Sequence, residues 1–197
     1  MRCVDLNVKR HPATVAALLA GIVAAAILGL DSPVASLGWR ADAGFESVWR
    51  LLTAHFVHLG AQHFAVNFLA ALLIGWVCDQ LHLAGQLASA TLACLIGLGI
   101  GLEFGPWDIA WYVGLSGLLH GLFAWLCLEL VLAGEPARPA GLRVLAAALF
   151  IGGLVKVAAS LDTPVGAIGW LGIAQASPAH LYGFLGGTFW AGLRRLR

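Results

Sequence analysis

The chain has 197 residues, 60% hydrophobic and 11% charged, with a formal net charge of +1 and a mean hydropathy of +0.89. A soluble domain carries about 25% charged residues and about 45–50% apolar ones, so this much apolar surface does not fit one aqueous core. The composition excludes a disordered chain and a disulfide scaffold, and the near-zero charge excludes a nucleic-acid binder. What remains is a small integral membrane protein. At about 20 apolar residues per crossing, six spans would use roughly 120 residues and leave short loops.

Six apolar segments can be marked in chain order, at about 12–30, 61–78, 83–104, 109–132, 142–160 and 178–193. The first has a charged start, which raises a cleaved signal peptide; five further segments make a retained signal-anchor the expectation. A polar stretch with Asp31, Arg40, Asp42, Glu46 and Arg50 precedes the second segment. Asp79 to His82 forms a short polar link before the third, and Gly134, Pro136 and Pro139 break the chain before the fifth. Lys and Arg set the orientation. With a cytoplasmic N-terminus, Arg2, Lys9, Arg10, Arg138, Arg143, Arg194, Arg195 and Arg197 lie inside, and only Arg40, Arg50 and Lys156 outside. The expected fold is an all-α membrane protein, one domain over residues 1–197, with both termini cytoplasmic and no second domain. The 25 glycines, clustered at 97, 99 and 101 and at 183, 186 and 187, indicate a tight bundle rather than a wide pore.

Polar groups inside a bilayer are costly and therefore mark function. They are His63 and Asn67 in the second segment, Ser116 and His120 in the fourth, and His180 in the sixth. Glu129 and Lys156 sit near span ends and are expected to snorkel. In this orientation segments two, four and six all run inward, so His63, Asn67, Ser116 and His180 fall within roughly 10 Å of the outer interface. His63 and Asn67 share a helix face at a spacing of four, as do Ser116 and His120. A serine needs a base to become a nucleophile. The small residues Ala179, Gly183 and Gly187 form a stripe that would seat the sixth segment against the fourth and bring His180 to Ser116. His63 and Asn67 could then donate to a developing oxyanion.

These residues resemble the rhomboid family of intramembrane serine proteases. The matches are Gly114-x-Ser116-Gly117, His63-x-x-x-Asn67 and Ala179-His180-x-x-Gly183-x-x-x-Gly187, in the family's order and in the second, fourth and sixth spans. Trp49-Arg50 resembles the family's first-loop pair, and His58 stands where the family often has another histidine. The resemblance runs from about Trp49 to the end. It implies a compact six-transmembrane-helix rhomboid-like bundle, Ser116 as nucleophile, His180 as general base, and an oxyanion hole of His63, Asn67 and the Ser116 N–H. Gly114, Gly117, His58 and His120 would be auxiliary. His120, one turn after Ser116, and the short chain are similar to the rhombosortase branch. That branch implies a bacterial inner-membrane enzyme acting on surface proteins with a C-terminal Gly-Gly, hydrophobic-span, basic-tail signal. Its acyl-enzyme passes to water or to another nucleophile. Nine Arg against two Lys fits a GC-rich bacterial genome.

Other readings compete. The chain could be a catalytically inactive rhomboid-like protein that binds membrane clients, or a small transporter, although it lacks buried charges for ion coupling. His55, His58 and His63 do not follow the His-x-x-x-His spacing of zinc helices, so neither metal nor cofactor is expected. His55 and His58 read as loop-ordering or interfacial, and His11 and His82 as lying at the cytoplasmic face. Cys3, Cys78, Cys94 and Cys127 read as packing thiols. Trp39, Trp49, Trp107 and Trp111 read as interfacial anchors.

Overall fold

Backbone placed in hydrocarbon must satisfy its N–H and C=O groups within itself, and this chain does so with helices. The computed structural model describes residues 11–44, 47–133, 138–163, 166–168 and 176–196. Cys3, Arg2, Lys9, Arg10, Glu46, Arg197 and the breaking link at 134–137 lie outside the described residues. The long elements are α1 (Pro12–Leu28), α4 (Ala61–Gln80), α5 (Ala84–Phe104), α6 (Ser116–Leu132), α7 (Ala140–Ala159) and α8 (Ser177–Leu193). Two short helices, α2 (Pro33–Leu37) and α3 (Arg50–Thr53), lie between α1 and α4. Helices α4, α5 and α7, of 20, 21 and 20 residues, are long and apolar enough to cross a membrane. Helices α1, α6 and α8 have 17 residues each, about 25 Å of rise at 1.5 Å per residue, the short end of what spans a bilayer.

The expectation of an all-α chain needs one correction. Residues 109–115, placed at the start of the fourth span from hydropathy, are not helical. There β2 (Trp111–Tyr112) pairs antiparallel with β1 (Trp39–Arg40), with Trp39 opposite Tyr112. The backbone of this apolar stretch bonds to another strand rather than to itself. Trp39 is consequently not an interfacial anchor: it is 3% exposed and its indole N–H donates to Glu103 at 2.8 Å. The first loop is tied down in the same way. The Arg50 guanidinium donates to the carbonyls of Ala35 and Gly38 at 3.0 and 3.3 Å, and the Thr53 hydroxyl to Leu37 at 2.7 Å.

Helix α8 packs mainly on α6 and α5, and α1 on α4. The α6–α8 seam is backbone against backbone. A methyl group at Gly183 would fall on the Gly117 carbonyl, and one at Gly187 on the Gly121 carbonyl. A methyl at Gly121 would lie 2.5 Å from the Gly183 oxygen. Around this seam Trp125, Cys94, Leu98 and Phe184 are fully enclosed. Cys78, Cys94 and Cys127 are buried free thiols.

One end of the bundle is held by ions. Glu129, expected to snorkel, is instead buried and meets Arg195 at 2.9 Å and Arg194 at 3.6 Å. Asp79 belongs to the last turn of α4 rather than to a polar link. It caps the start of α1 by accepting from the Ala13 and Thr14 N–H groups at 3.0 and 2.8 Å and from the Thr14 hydroxyl at 2.6 Å. The Arg138 guanidinium donates to the Leu81 carbonyl.

The seam gives a test with a sign. Alanine is the better helix former by about 1 kcal/mol, so on propensity alone Gly187→Ala would stabilise α8. The Gly121 carbonyl occupies the methyl's place, and overpacking costs about 1–3 kcal/mol. We expect a lower thermal unfolding midpoint in detergent for Gly187→Ala; an unchanged or raised midpoint would refute the backbone seam.

Candidate active site

The site is built on the turn that launches α6. Gly114 has φ +105°, a conformation L side chains rarely adopt. Its N–H donates to the Ala54 carbonyl at 2.8 Å. Tyr112, buried beneath the turn, ties it twice: its hydroxyl donates to the Gly114 carbonyl at 2.6 Å and accepts the Gly117 N–H at 3.3 Å. Ser116 is therefore the first residue of α6 and not several residues into a span, as hydropathy suggested. Its N–H lies outside the helical ladder, at the positive end of the helix dipole.

The seam sets the partner of Ser116. His180, in the first turn of α8, lies above the Gly183–Gly117 contact, and its Nε2 is 3.0 Å from the Ser116 Oγ. His180 is 6% exposed. This is bonding distance for proton exchange between a hydroxyl and an imidazole.

His63 and Asn67 are one turn apart on α4 and both buried. The Leu59 N–H donates to His63 Nδ1 at 3.3 Å, so the neutral ring carries its proton on Nε2. That nitrogen lies 2.8 Å, and Asn67 Nδ2 3.7 Å, from where a Gly114 side chain would begin. Among the described residues Asn67 Nδ2 has no hydrogen-bond partner. Two donors thus converge on the space that glycine leaves beside Ser116.

Two further residues complete the cluster. The His120 ring stacks on that of His180, centroids 4.1 Å apart and planes 16° from parallel, and its Nδ1 lies 2.7 Å from the Ser116 carbonyl. Lys156, expected to snorkel, stays exposed on α7 but bends its Nζ to the two rings, 3.0 Å from His120 Nε2 and 3.4 Å from His180 Nδ1. Sequence reading missed Lys156 because it stands near a span end, where a lysine ordinarily reaches for water. Tyr112 was missed for a similar reason, as one more aromatic in an apolar run.

His55 and His58 precede α4, outside the spans. His55 is 2% exposed with its ring edge-on to Tyr112. His58 is edge-on to His63, centroids 5.0 Å apart. Burial pushes His55 down to about 4 and lowers His58, so both are neutral near pH 7. Trp49 lies exposed on the first loop, with the Arg50 guanidinium 5.2 Å from its ring centre, and Trp107 packs edge-on against Tyr182. Among the described residues no group of three His, Cys, Asp or Glu is arranged to hold a metal ion.

Apolar helices long enough to cross a bilayer, with polar side chains gathered between α4, α6, α7 and α8 at one end, define an integral membrane protein with a polar cluster inside the bundle. The chain belongs to the rhomboid family, a family of intramembrane proteases: it matches the Rhomboid domain over residues 46–197, from the first loop through α8. No curated protein matches the chain.

Two measurements check the site's supports. Tyr112→Phe leaves the Gly114 carbonyl and the Gly117 N–H buried without this partner, a cost of about 1–3 kcal/mol; the unfolding midpoint should fall, and an unchanged midpoint would show that the hydroxyl does not hold the turn. For His55 the unfolded chain takes up a proton near its ordinary value of 6.5 and the folded chain only near 4. Stability should therefore fall as pH drops through that window, and His55→Phe should flatten part of the fall. The same acid profile in His55→Phe would remove His55 as a cause.

Proposed function

We propose that this rhomboid is an intramembrane serine endopeptidase in which Ser116 is the nucleophile and His180 the general base, working as a dyad. The observation that carries the reading is the 3.0 Å approach of Ser116 Oγ to His180 Nε2, built on a glycine seam rather than on flexible loops. A substrate helix with small residues unwinds at the outer membrane interface and lays its scissile carbonyl over Ser116. The Oγ–H proton passes to His180 Nε2 as Oγ bonds to the carbonyl carbon. The oxyanion faces His63 Nε2–H, Asn67 Nδ2–H and the Ser116 N–H, fixed dipoles in a site poor in competing solvent. The tetrahedral intermediate collapses, the C–N bond breaks, and His180 returns its proton to the leaving amine. Water then attacks the acyl-enzyme with His180 again as base.

The six-span topology with both termini cytoplasmic, and the placement of the cleft at the outer face of a bacterial inner membrane, belong to the same proposal. Their support is the Lys and Arg distribution. Described cations Arg138, Arg143, Arg194 and Arg195 all serve the end of the bundle opposite Ser116, where Arg143 donates to the Val131 carbonyl at 3.3 Å. The substrate class rests on the rhombosortase-like His120-Gly121 pair following Ser116-Gly117: bacterial surface proteins with a C-terminal Gly-Gly, hydrophobic and basic signal. Small residues suit this cleft because an unwound segment has to approach backbone at Gly114.

Ser116→Ala should abolish cleavage of a Gly-Gly-tailed membrane substrate and labelling by a fluorophosphonate, with the unfolding midpoint retained. His180→Ala should do the same, and the double variant should be no worse than either single one. Wild-type cleavage rates in Ser116→Ala would overturn the mechanism, and a wild-type protein that binds clients without labelling would be an inactive escort.

A further inference from the structure

Lys156 is a third group at this site that the serine–histidine reading leaves without a task. It stands exposed near the end of α7 among Leu154, Val155, Val157 and Ala158, and among the described residues its Nζ hydrogen-bonds to imidazole nitrogens, His120 Nε2 at 3.0 Å and His180 Nδ1 at 3.4 Å. Among the described residues no carboxylate lies within ion-pair distance of it. The titratable groups on the elements around it can be named. Helix α6 brings His120, and Glu129 at the far end held by Arg194 and Arg195. Helix α8 brings His180, and α4 brings His63 across Gly114. On its own helix Arg143 stands at the opposite end, and Asp162 follows without pairing to it.

Hydrogen-bond valence decides what Lys156 must be. His120 Nδ1 faces the Ser116 carbonyl, an acceptor only, so Nδ1 carries the proton and Nε2 a lone pair. Lys156 therefore donates to His120. His180 can take the Ser116 proton only through a bare Nε2, so in the working state its Nδ1 carries the hydrogen and needs an acceptor. The atom facing it is Lys156 Nζ, which accepts only as an amine. An ammonium would donate to Nδ1 instead, hold the hydrogen on Nε2 and turn it toward the Ser116 hydroxyl. It would also leave two positive charges 3.4 Å apart once the imidazolium formed.

We propose that Lys156 is a positioning residue acting in its neutral form: its lone pair accepts the His180 Nδ1–H while its own N–H donates to His120 Nε2, so that His180 presents a bare Nε2 to Ser116. The inference rests on the serine–histidine reading. During attack the Ser116 proton moves to Nε2, the Nδ1 proton stays on the ring in its bond to Nζ, and the Nε2 proton leaves with the amine; Lys156 begins and ends the cycle as an amine. The consequence is a built-in requirement for two deprotonated groups, His180 and Lys156, at one site.

The test is the rate of Ser116 labelling by a fluorophosphonate probe against pH, on the full chain in detergent. In the wild type the alkaline rise should carry two ionisations. Lys156→Met should label about tenfold more slowly at its plateau and carry one ionisation. Lys156→Arg, permanently charged, should be slower by about 100-fold or more at every pH, as expected for a histidine held in the wrong tautomer. Lys156→Gln keeps a donor and an acceptor without titrating, and should fall between Met and wild type with one ionisation. Each profile is scaled to its own plateau, so a loss of folded protein does not alter its shape. If Lys156→Met or Lys156→Arg labels at the wild-type rate with the wild-type profile, the role of Lys156 is overturned while Ser116 stands; if the wild type labels at no pH, the serine–histidine reading itself fails.

Discussion

The contact between α6 and α8 is the constraint on which the rest of the structure depends. Lipid tails are as apolar as leucine, so two helices in a bilayer gain little by hiding apolar side chains from each other; close packing has to hold them. Gly117 and Gly121 on one helix face Gly183 and Gly187 on the other, each pair spaced by four residues, so the two backbones match over a full turn. Ser116 immediately precedes the first glycine of one pair, and His180 stands three residues before the first glycine of the other. The 3.0 Å approach between them is thus a consequence of register. Side chains at the seam would separate the axes and lengthen that distance with no change to either polar group.

The bundle divides its polar groups between two ends with different electrostatics. At one end full charges are paired: Glu129 with two arginines and Asp79 with the start of α1. At the other end, in the cluster around Ser116, the polar atoms are imidazoles, an amide, a hydroxyl and one lysine, held by short hydrogen bonds and by ring stacking, while the charges of Glu103, Arg40 and Arg50 stay with the loop and strand pair. Buried charged groups need partners, and among the described residues no carboxylate of this end pairs with Lys156. A neutral network is the state its hydrogen bonds can satisfy, and a neutral imidazole is what proton abstraction from a serine requires.

Much of this was legible in the sequence, for physical reasons. Helix positions follow from hydropathy, and α4, α5, α7 and α8 start and end within about two residues of the apolar segments. The small-residue stripe at 179, 183 and 187 carried the α6–α8 packing, and helical spacing put His63 beside Asn67. What was not legible is local and tertiary. Residues 109–115 are apolar enough to read as helix, and only pairing with Trp39 and the positive φ of Gly114 show that they are not. Buried ionic groups such as Glu129 look like span-end residues until their partners, 65 and 66 positions away, are in place. The bend of Lys156 Nζ toward the site depends on two rings from other helices, and no pattern along α7 encodes it.

The late start of α6 has a chemical meaning that a longer helix would forfeit. Had the helix begun at Ile109, the Ser116 N–H would be spent on the Tyr112 carbonyl and its side chain would sit mid-helix, where a serine bonds to its own backbone. Beginning the helix at Ser116 frees that N–H, points the positive end of the dipole at the space beside Ser116, and opens that space at Gly114 toward His63 and Asn67. The cost is a stretch of non-helical backbone at the head of an apolar segment, tolerable only where other protein groups satisfy it. The strand pair with Trp39 and Arg40, the Ala54 carbonyl and the Tyr112 hydroxyl are those groups. The first loop therefore supplies backbone partners that this buried, non-helical turn lacks within itself.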